Sequence, residues 1–92
     1  MITESEKFII KKTLSPINPT LIGIFGSYAR SEANEDSDLD ILVDVNEKVN
    51  LLDIIGFEQE LSDNLHKKID LVTMRSLNDK VKPYIMKDLI IL

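Results

Sequence analysis

Apolar residues recur at two different spacings along the chain, and the two spacings predict alternating helices and strands. Thr3 and Glu6 form a capping-box pattern ahead of apolar residues at helical spacing, which predicts a first helix ending near Leu14. The short apolar run over residues 20–25 is typical of a central strand covered on both faces. A short helix over residues 28–32 and a polar loop are predicted to follow it.

The second half of the chain repeats this alternation. Residues 38–44 begin polar and become apolar, which predicts a second strand. Asn50 is placed to cap a long helix over about residues 51–65, and residues 68–73 predict a third strand. A single apolar stripe is expected on the long helix, formed by Leu51, Ile54, Ile55, Leu61 and Leu65. A last helix near Pro83 precedes an apolar end, so the order αβαβαβα predicts an α+β domain with a small mixed sheet flanked by helices.

The size of the chain favours one domain over residues 1–92, since we find no internal repeat and no linker. The sequence contains no cysteine, so no disulfide supports the small core. No stretch approaches the roughly 20 apolar residues of a membrane span, and the N-terminus does not resemble a signal peptide. We therefore expect a cytoplasmic protein that does not contact a membrane.

The formal charge of −5 is unevenly distributed. Residues 32–63 carry eleven acidic residues against Lys48 alone, while the segments on either side are net basic. An acidic domain argues against direct nucleic-acid binding, because basic side chains supply most of that affinity. The acidic segment is expected either to bind a cation or to form a solvated face.

Asp38 and Asp40 are two residues apart on the predicted second strand. Residues at this spacing project from one face, with Cα atoms about 6.5 Å apart. Their carboxylates suit Mg²⁺ or Mn²⁺, which retain water and are completed by substrate phosphates. Because nine aspartates in 92 residues give about one Asp-x-Asp by chance, the pair alone is equally compatible with an exposed strand end.

Gly26 and Ser27 lie where the first strand turns into a short helix. Gly26 would let a phosphate approach the backbone, the helix start offers free N–H groups, and Ser27 adds a hydroxyl donor. A turn glycine followed by an ordinary capping serine is the alternative interpretation. The segment is not a P-loop, because no Gly-Lys-Ser/Thr follows at the required spacing.

Asp70 interrupts the apolar third strand between Ile69 and Leu71. A carboxylate there is costly unless it is exposed, paired or bound to metal. If the second and third strands are neighbours, Asp70 would join Asp38 and Asp40, and three carboxylates can hold two metal ions for phosphoryl or nucleotidyl transfer. Asp70 would also be placed to accept the proton of an attacking hydroxyl. A charge that protects an edge strand is the alternative.

These segments together resemble the minimal nucleotidyltransferases of the DNA polymerase β superfamily. The resemblance rests on residues 26–30 (GSYAR), 37–43 (SDLDILV) and 68–72 (KIDLV), and it spans about residues 5–90. It implies that Gly26 and Ser27 hold a nucleotide triphosphate, that Asp38, Asp40 and Asp70 bind two Mg²⁺ or Mn²⁺ ions, and that Asp70 also serves as the base. Arg30 matches a common family position, where a role at the phosphates and a salt bridge to the acidic loop both remain open.

The resemblance also implies an acceptor. Short members of this family are antitoxins that transfer AMP from ATP to a tyrosine of a HEPN-domain ribonuclease toxin, and 92 residues leave no room for an acceptor-binding domain. Two alternatives remain: an antitoxin that only occludes its toxin, and nucleotidyl transfer to a small molecule or an RNA end. The apolar end over residues 85–92 would serve a homo- or hetero-oligomer interface or close the core.

Three aromatic residues have simpler expected roles. His66 is expected at the C-terminal end of the long helix, where the helix dipole favours it, rather than as a general base. Tyr28 and Tyr84 are expected to pack in the core or on the surface rather than to be modified.

Overall fold

A mixed four-stranded sheet organises the fold of the computed structural model, which describes residues 2–92. The strands are β1 (Leu21–Phe25), β2 (Leu39–Asp44), β3 (Ile69–Thr73) and β4 (Ile90–Ile91). Their order across the sheet is β3-β2-β1-β4; β1 runs antiparallel to β2 and β4, and β3 runs parallel to β2. This arrangement confirms the predicted α+β class with a small mixed sheet.

Four α-helices surround the sheet. They are α1 (Glu4–Leu14), α2 (Gly26–Ala29), α3 (Leu51–Leu65) and α4 (Lys82–Asp88), and short 3₁₀ turns cover Ser15–Ile17 and Met74–Ser76. The core lies between one face of the sheet and the pair α1 and α3, because alternate strand residues share a face. Its fully buried members include Ile10, Leu14, Leu39, Ile41, Val43 and Leu61.

The predicted helix caps are confirmed. Glu6 N donates to Thr3 Oγ1 at 3.1 Å and Thr3 N donates to Glu6 Oε1 at 3.0 Å, which completes the capping box of α1. Asn50 Oδ1 accepts from Asp53 N at 2.8 Å at the start of α3. His66 ends α3 in the left-handed backbone region, at φ 55°, in the C-terminal position expected for it.

The short helix α2 begins two residues earlier than its sequence predicts. Gly26, expected in a turn, is its first residue and has φ +73°. Because glycine tolerates this left-handed conformation, the chain turns from β1 into a helix without an intervening loop. The helix also ends early, at Ala29, and Ser31 then adopts φ 59°, so the predicted span of residues 28–32 is wrong at both ends.

The apolar stripe predicted on α3 is correct only in part. Leu61 and Leu65 are buried and Ile54 packs against the core, but Leu51 is 73% and Ile55 is 48% exposed. The buried face is completed by Phe57, one turn after Ile54. An apolar stripe that starts at residue 54 follows the 3.6-residue period to residue 65. Residues 51 and 55 lie at the margin of this stripe.

The C-terminal segment adds a fourth strand that the predicted element order lacks. β4 pairs with β1, and a Cβ placed on Gly23 would lie 2.6 Å from Leu89 Cδ1, so this part of the chain rests closely on the sheet. Leu92 packs against the core cluster, whereas Ile91 is 66% exposed. The apolar end therefore closes the core and also leaves apolar surface open. Within residues 2–92, no helix is both long and apolar enough to cross a membrane.

Candidate active site

Asp40 and Asp70 are brought together by the parallel pairing of β2 and β3. The two residues are direct partners in the register, on the face of the sheet opposite the buried Leu39 and Ile41. Asp40 is half-buried and Asp70 is exposed. The sequence-based expectation that Asp70 lies beside the second strand is therefore confirmed by the register.

The surroundings of Asp40 shift its pKa. Burial, followed by the charges of Asp70 and Asp38 and a hydrogen bond with Asp70, raises the pKa of Asp40 from 3.8 to about 6, while Arg30 acts in the opposite direction. The ionised form of Asp40 is thus disfavoured by its surroundings. A cation that binds both carboxylates would favour their ionised forms.

Gly26 lies directly against this pair. A Cβ at Gly26 would overlap Asp40 Oδ2, and its φ of +73° is one that L side chains rarely adopt. Two independent constraints thus require glycine at this position. They place the backbone of the first turn of α2 beside the Asp40 carboxylate.

Ser27 is the second residue of α2, and it is half-buried. The cap position before the helix is Phe25, which makes no side-chain cap bond, so Ser27 is not a helix cap. The first N–H groups of any helix lack partners within it. Gly26 and Ser27 therefore border the carboxylate pair with backbone donors and one hydroxyl.

Asp38 lies outside the strand pairing that joins the other two carboxylates. It precedes β2, is exposed, and lines a groove together with Glu58 of α3 and Lys68. It is close enough to Asp40 to raise the pKa of that residue. Among residues 2–92, no three His, Cys, Asp or Glu side chains form a ready metal-binding group. The metal-binding role of Asp38 stays a prediction.

The donor set nevertheless fits a divalent ion. Mg²⁺ is usually bound by one or two protein carboxylates and completed by water and substrate phosphates. Asp40 and Asp70 offer two hard oxygen ligands, and the Gly26 backbone lies beside the Asp40 carboxylate.

Arg30 makes two ion pairs next to this site. Its guanidinium lies 2.8 Å from Asp88 of α4 and 3.3 Å from Glu32 in the acidic loop. These hydrogen bonds, first to Asp88 and then to Glu32, raise the pKa of Arg30 above its ordinary value. The salt bridge to the acidic loop is therefore present, and no local sequence pattern indicates the second partner, Asp88.

Two further contacts near the site escape sequence reasoning. Glu58 Oε2 accepts from the backbone N–H of Leu71 at 2.9 Å, so a helix carboxylate covers the strand that carries Asp70. Lys67 contacts Glu6 of α1 and Tyr28 of α2, and both are too distant in the sequence for a local pattern to indicate the contact. Of these contacts, only the one made by Glu58 has an indication in the sequence, because Glu58 is a charged residue on the buried side of α3.

The remaining aromatic residues occupy the expected places. Tyr28 packs against the core cluster, and Tyr84 is 75% exposed on α4. Nothing in their contacts indicates a catalytic role.

Comparison with known proteins decides the family. The sequence model described as "Nucleotidyltransferase domain" matches residues 7–92. The chain belongs to the nucleotidyltransferase domain family. It is therefore a nucleotidyltransferase, and the resemblance identified from the three sequence segments is confirmed.

Named relatives of this nucleotidyltransferase refine the comparison. Protein adenylyltransferase MntA of Thermococcus cleftensis is 44% identical over 69 residues, which cover 75% of this chain and 70% of the relative. A Methanocaldococcus jannaschii protein described as a candidate protein adenylyltransferase is 53% identical over 70 residues, covering 75% of this chain and 71% of that protein.

Solved structures share the fold. A structure described as a candidate minimal nucleotidyltransferase aligns with a TM-score of 0.81 and 33% identity, over 100% of this chain and 97% of that one. A chain of a toxin–antitoxin crystal structure with AMP-PNP aligns with a TM-score of 0.84 and 23% identity, over 98% of this chain and 72% of that one. A chain from the complex of tri-AMPylated Shewanella oneidensis HEPN toxin with its MNT antitoxin aligns with a TM-score of 0.79 and 24% identity, over 98% and 71% respectively.

Proposed function

We propose that this nucleotidyltransferase is an antitoxin that transfers AMP from ATP to a tyrosine hydroxyl of a partner HEPN ribonuclease toxin. The observation that carries the proposal is the Asp40–Asp70 pair against Gly26, a site suited to a divalent ion and a triphosphate. Relatives named protein adenylyltransferases support the choice of AMP and of a protein acceptor. The fold shared with chains of toxin–antitoxin complexes supports the choice of partner.

In the proposed mechanism, the first turn of α2 binds the nucleotide. The backbone at Gly26 and the hydroxyl of Ser27 donate to the triphosphate, and Arg30 contributes positive charge at the phosphates when it exchanges a carboxylate partner for them. The raised Arg30 pKa keeps its guanidinium charged. These groups orient the α-phosphorus toward the carboxylates.

Asp38, Asp40 and Asp70 would hold two Mg²⁺ or Mn²⁺ ions. Bound there, the ions would neutralise the phosphate charge and stabilise the attacking and leaving oxygens. Asp70, exposed at the open side of the site, accepts the proton of the tyrosine hydroxyl. The tyrosine oxygen forms a bond to the α-phosphorus, the bond from the α-phosphorus to the pyrophosphate oxygen breaks, and pyrophosphate leaves.

The test is transfer to a HEPN protein encoded in the same genome. Incubation with ATP and Mg²⁺ should add one or more AMP masses to that protein, as measured by intact mass spectrometry, and a tyrosine-to-phenylalanine scan of the acceptor should abolish the addition. The double variant Asp38→Asn, Asp40→Asn should add none, whereas Asp44→Asn on the same strand should be as active as the wild type.

Two results would contradict the proposal. If the wild type binds ATP yet adds no mass to its partner, transfer to a protein is wrong. If the double aspartate variant inhibits the ribonuclease as well as the wild type does, neutralisation proceeds by occlusion alone.

A further inference from the structure

Lys67 lies at a junction of three parts of the fold. It follows the end of α3 and precedes β3, and its side chain is 24% exposed. Its Nζ donates to Glu6 Oε2 of α1 at 2.6 Å and lies 5.0 Å from the centroid of the Tyr28 ring in α2. An ammonium group within about 6 Å of an aromatic centroid is attracted to the ring face.

The backbone at Lys67 is fixed to the strand that carries Asp70. The carbonyl of Lys67 accepts from Ser62 Oγ at 2.8 Å, and the carbonyl of Lys68 accepts from Leu39 N at 2.8 Å. The second bond continues the β2–β3 pairing that sets Asp70 beside Asp40. The backbone that carries the Lys67 side chain is therefore held in place relative to the Asp40–Asp70 pair.

Tyr28 is the residue of α2 that the Lys67 ammonium contacts. It directly follows Gly26 and Ser27, in a helix of only four residues that has no side-chain cap. So short a helix has little stability of its own, and tertiary contacts must hold it. The Tyr28 ring provides such contacts, because it packs against the core cluster and also interacts with the Lys67 ammonium.

Glu6 orients the ammonium group. Burial alone would raise the pKa of the Glu6 carboxyl, but hydrogen bonds from Lys67 and from Thr3, together with the Lys67 charge, bring the pKa below its ordinary value. Glu6 is thus ionised at neutral pH and fixes one of the three N–H donors of Lys67.

We propose that Lys67 is a positioning residue for nucleotide binding: through Tyr28 it holds the first turn of α2 in register with Asp40 and Asp70. This inference rests on the proposed use of Gly26 and Ser27 to bind the triphosphate. Lys67 acts on ATP affinity through another residue and does not touch the reacting atoms.

The test compares Lys67→Met with Lys12→Met, since Lys12 makes the same type of contact elsewhere. Lys12 Nζ lies 6.0 Å from the centroid of the Phe8 ring on α1, outside the site. Three quantities are measured for each variant: the dissociation constant of AMP-PNP with Mg²⁺, the separate KM for ATP and kcat, and amide hydrogen exchange over residues 26–31.

Lys67→Met should weaken AMP-PNP binding by about tenfold, the factor that corresponds to ~1.4 kcal/mol. It should raise KM for ATP more than it lowers kcat, and speed exchange over residues 26–31. Lys67→Arg, which retains the charge and stacks on an aromatic ring, should restore affinity to within about threefold of the wild type. Tyr28→Phe should match the wild type, whereas Tyr28→Leu should weaken binding, and adding Lys67→Met to it should cause little further loss.

The inference is overturned if Lys67→Met and Lys12→Met agree in affinity, KM and exchange. It is also overturned if the losses from Lys67→Met and Tyr28→Leu simply add. Should Lys67→Met fail to fold, Lys67→Gln, which removes the charge but keeps a hydrogen-bond donor for Glu6, is compared with Lys12→Gln in the same three measurements, and agreement between the two overturns the inference. A wild type that does not bind AMP-PNP would refute the proposed function instead, and exchange over residues 26–31 would still decide whether Lys67 holds α2.

Discussion

Replacing Asp40 by Asn should stabilise the metal-free protein while it removes metal binding. Asp40 is crowded by Asp70, with Asp38 nearby, and the ionised form of Asp40 is further disfavoured by burial. Asn has nearly the same shape, carries no charge and retains a donor for Asp70. The substitution therefore relieves repulsion without opening a cavity.

The magnitude follows from the pKa. A rise from 3.8 to about 6 corresponds to at most ~3 kcal/mol at about 1.36 kcal/mol per pH unit. Since Asp40 is only half-buried, solvent screening reduces the expected effect to ~1 kcal/mol. For a domain of this size, that free energy corresponds to a Tm about 4–8 °C higher.

The sign of the pH dependence is fixed by the same pKa. The folded protein holds the Asp40 proton more tightly than the unfolded chain does, so this residue favours folding below about pH 4. Its contribution is lost as pH rises through about 6. The advantage of Asp40→Asn should be full at pH 8 and smaller at pH 5.

Thermal melts monitored by circular dichroism in EDTA, at pH 5 and pH 8, measure this difference. Asp44→Asn is the matched control, because it removes one charge from the same strand at a site away from the carboxylate pair. Adding Mg²⁺ and AMP-PNP should raise the Tm of the wild type and leave that of Asp40→Asn unchanged. The reasoning is refuted if Asp40→Asn is no more stable than Asp44→Asn at pH 8.

Three further predictions test the geometry. Gly26→Ala should destabilise the fold by at least ~1–2 kcal/mol and abolish AMP-PNP binding, because its Cβ would overlap Asp40 Oδ2 at a left-handed φ. Gly56→Ala in α3 should instead stabilise the fold by about 0.5–1 kcal/mol, because its Cβ would have no neighbour within 4 Å. Urea unfolding compares the two, and equal effects would contradict the geometry. Glu58→Ala should cost about 1–3 kcal/mol by leaving a strand N–H without its acceptor, and Glu58→Gln should recover most of that loss. The wild type should lose stability as pH falls through the lowered Glu6 pKa, and Glu6→Gln should lose less. Urea unfolding between pH 5 and pH 3 measures this difference. An equal dependence of unfolding free energy on pH in both proteins would show that the Glu6 contacts contribute nothing.

Much of the fold follows from local signals in the sequence. The capping pairs at Thr3 and Asn50 mark helix starts because each satisfies backbone donors within three residues. The meeting of Asp40 and Asp70 is also predictable, since a helix between two short strands favours a parallel pair.

Other features depend on contacts that local patterns do not encode. The start of α2 depends on the left-handed backbone at Gly26, where the neighbouring Asp40 leaves no room for a Cβ. The pair formed by Lys67 and Glu6 joins residues 61 positions apart.

The position of β3 at the rim of the sheet determines how the site is approached. Strand order places β3 outermost, so the exposed Asp70 lies on the rim of the sheet rather than over its middle. If the acceptor is a hydroxyl on a second folded protein, as proposed, it reaches Asp70 from this edge without either molecule opening.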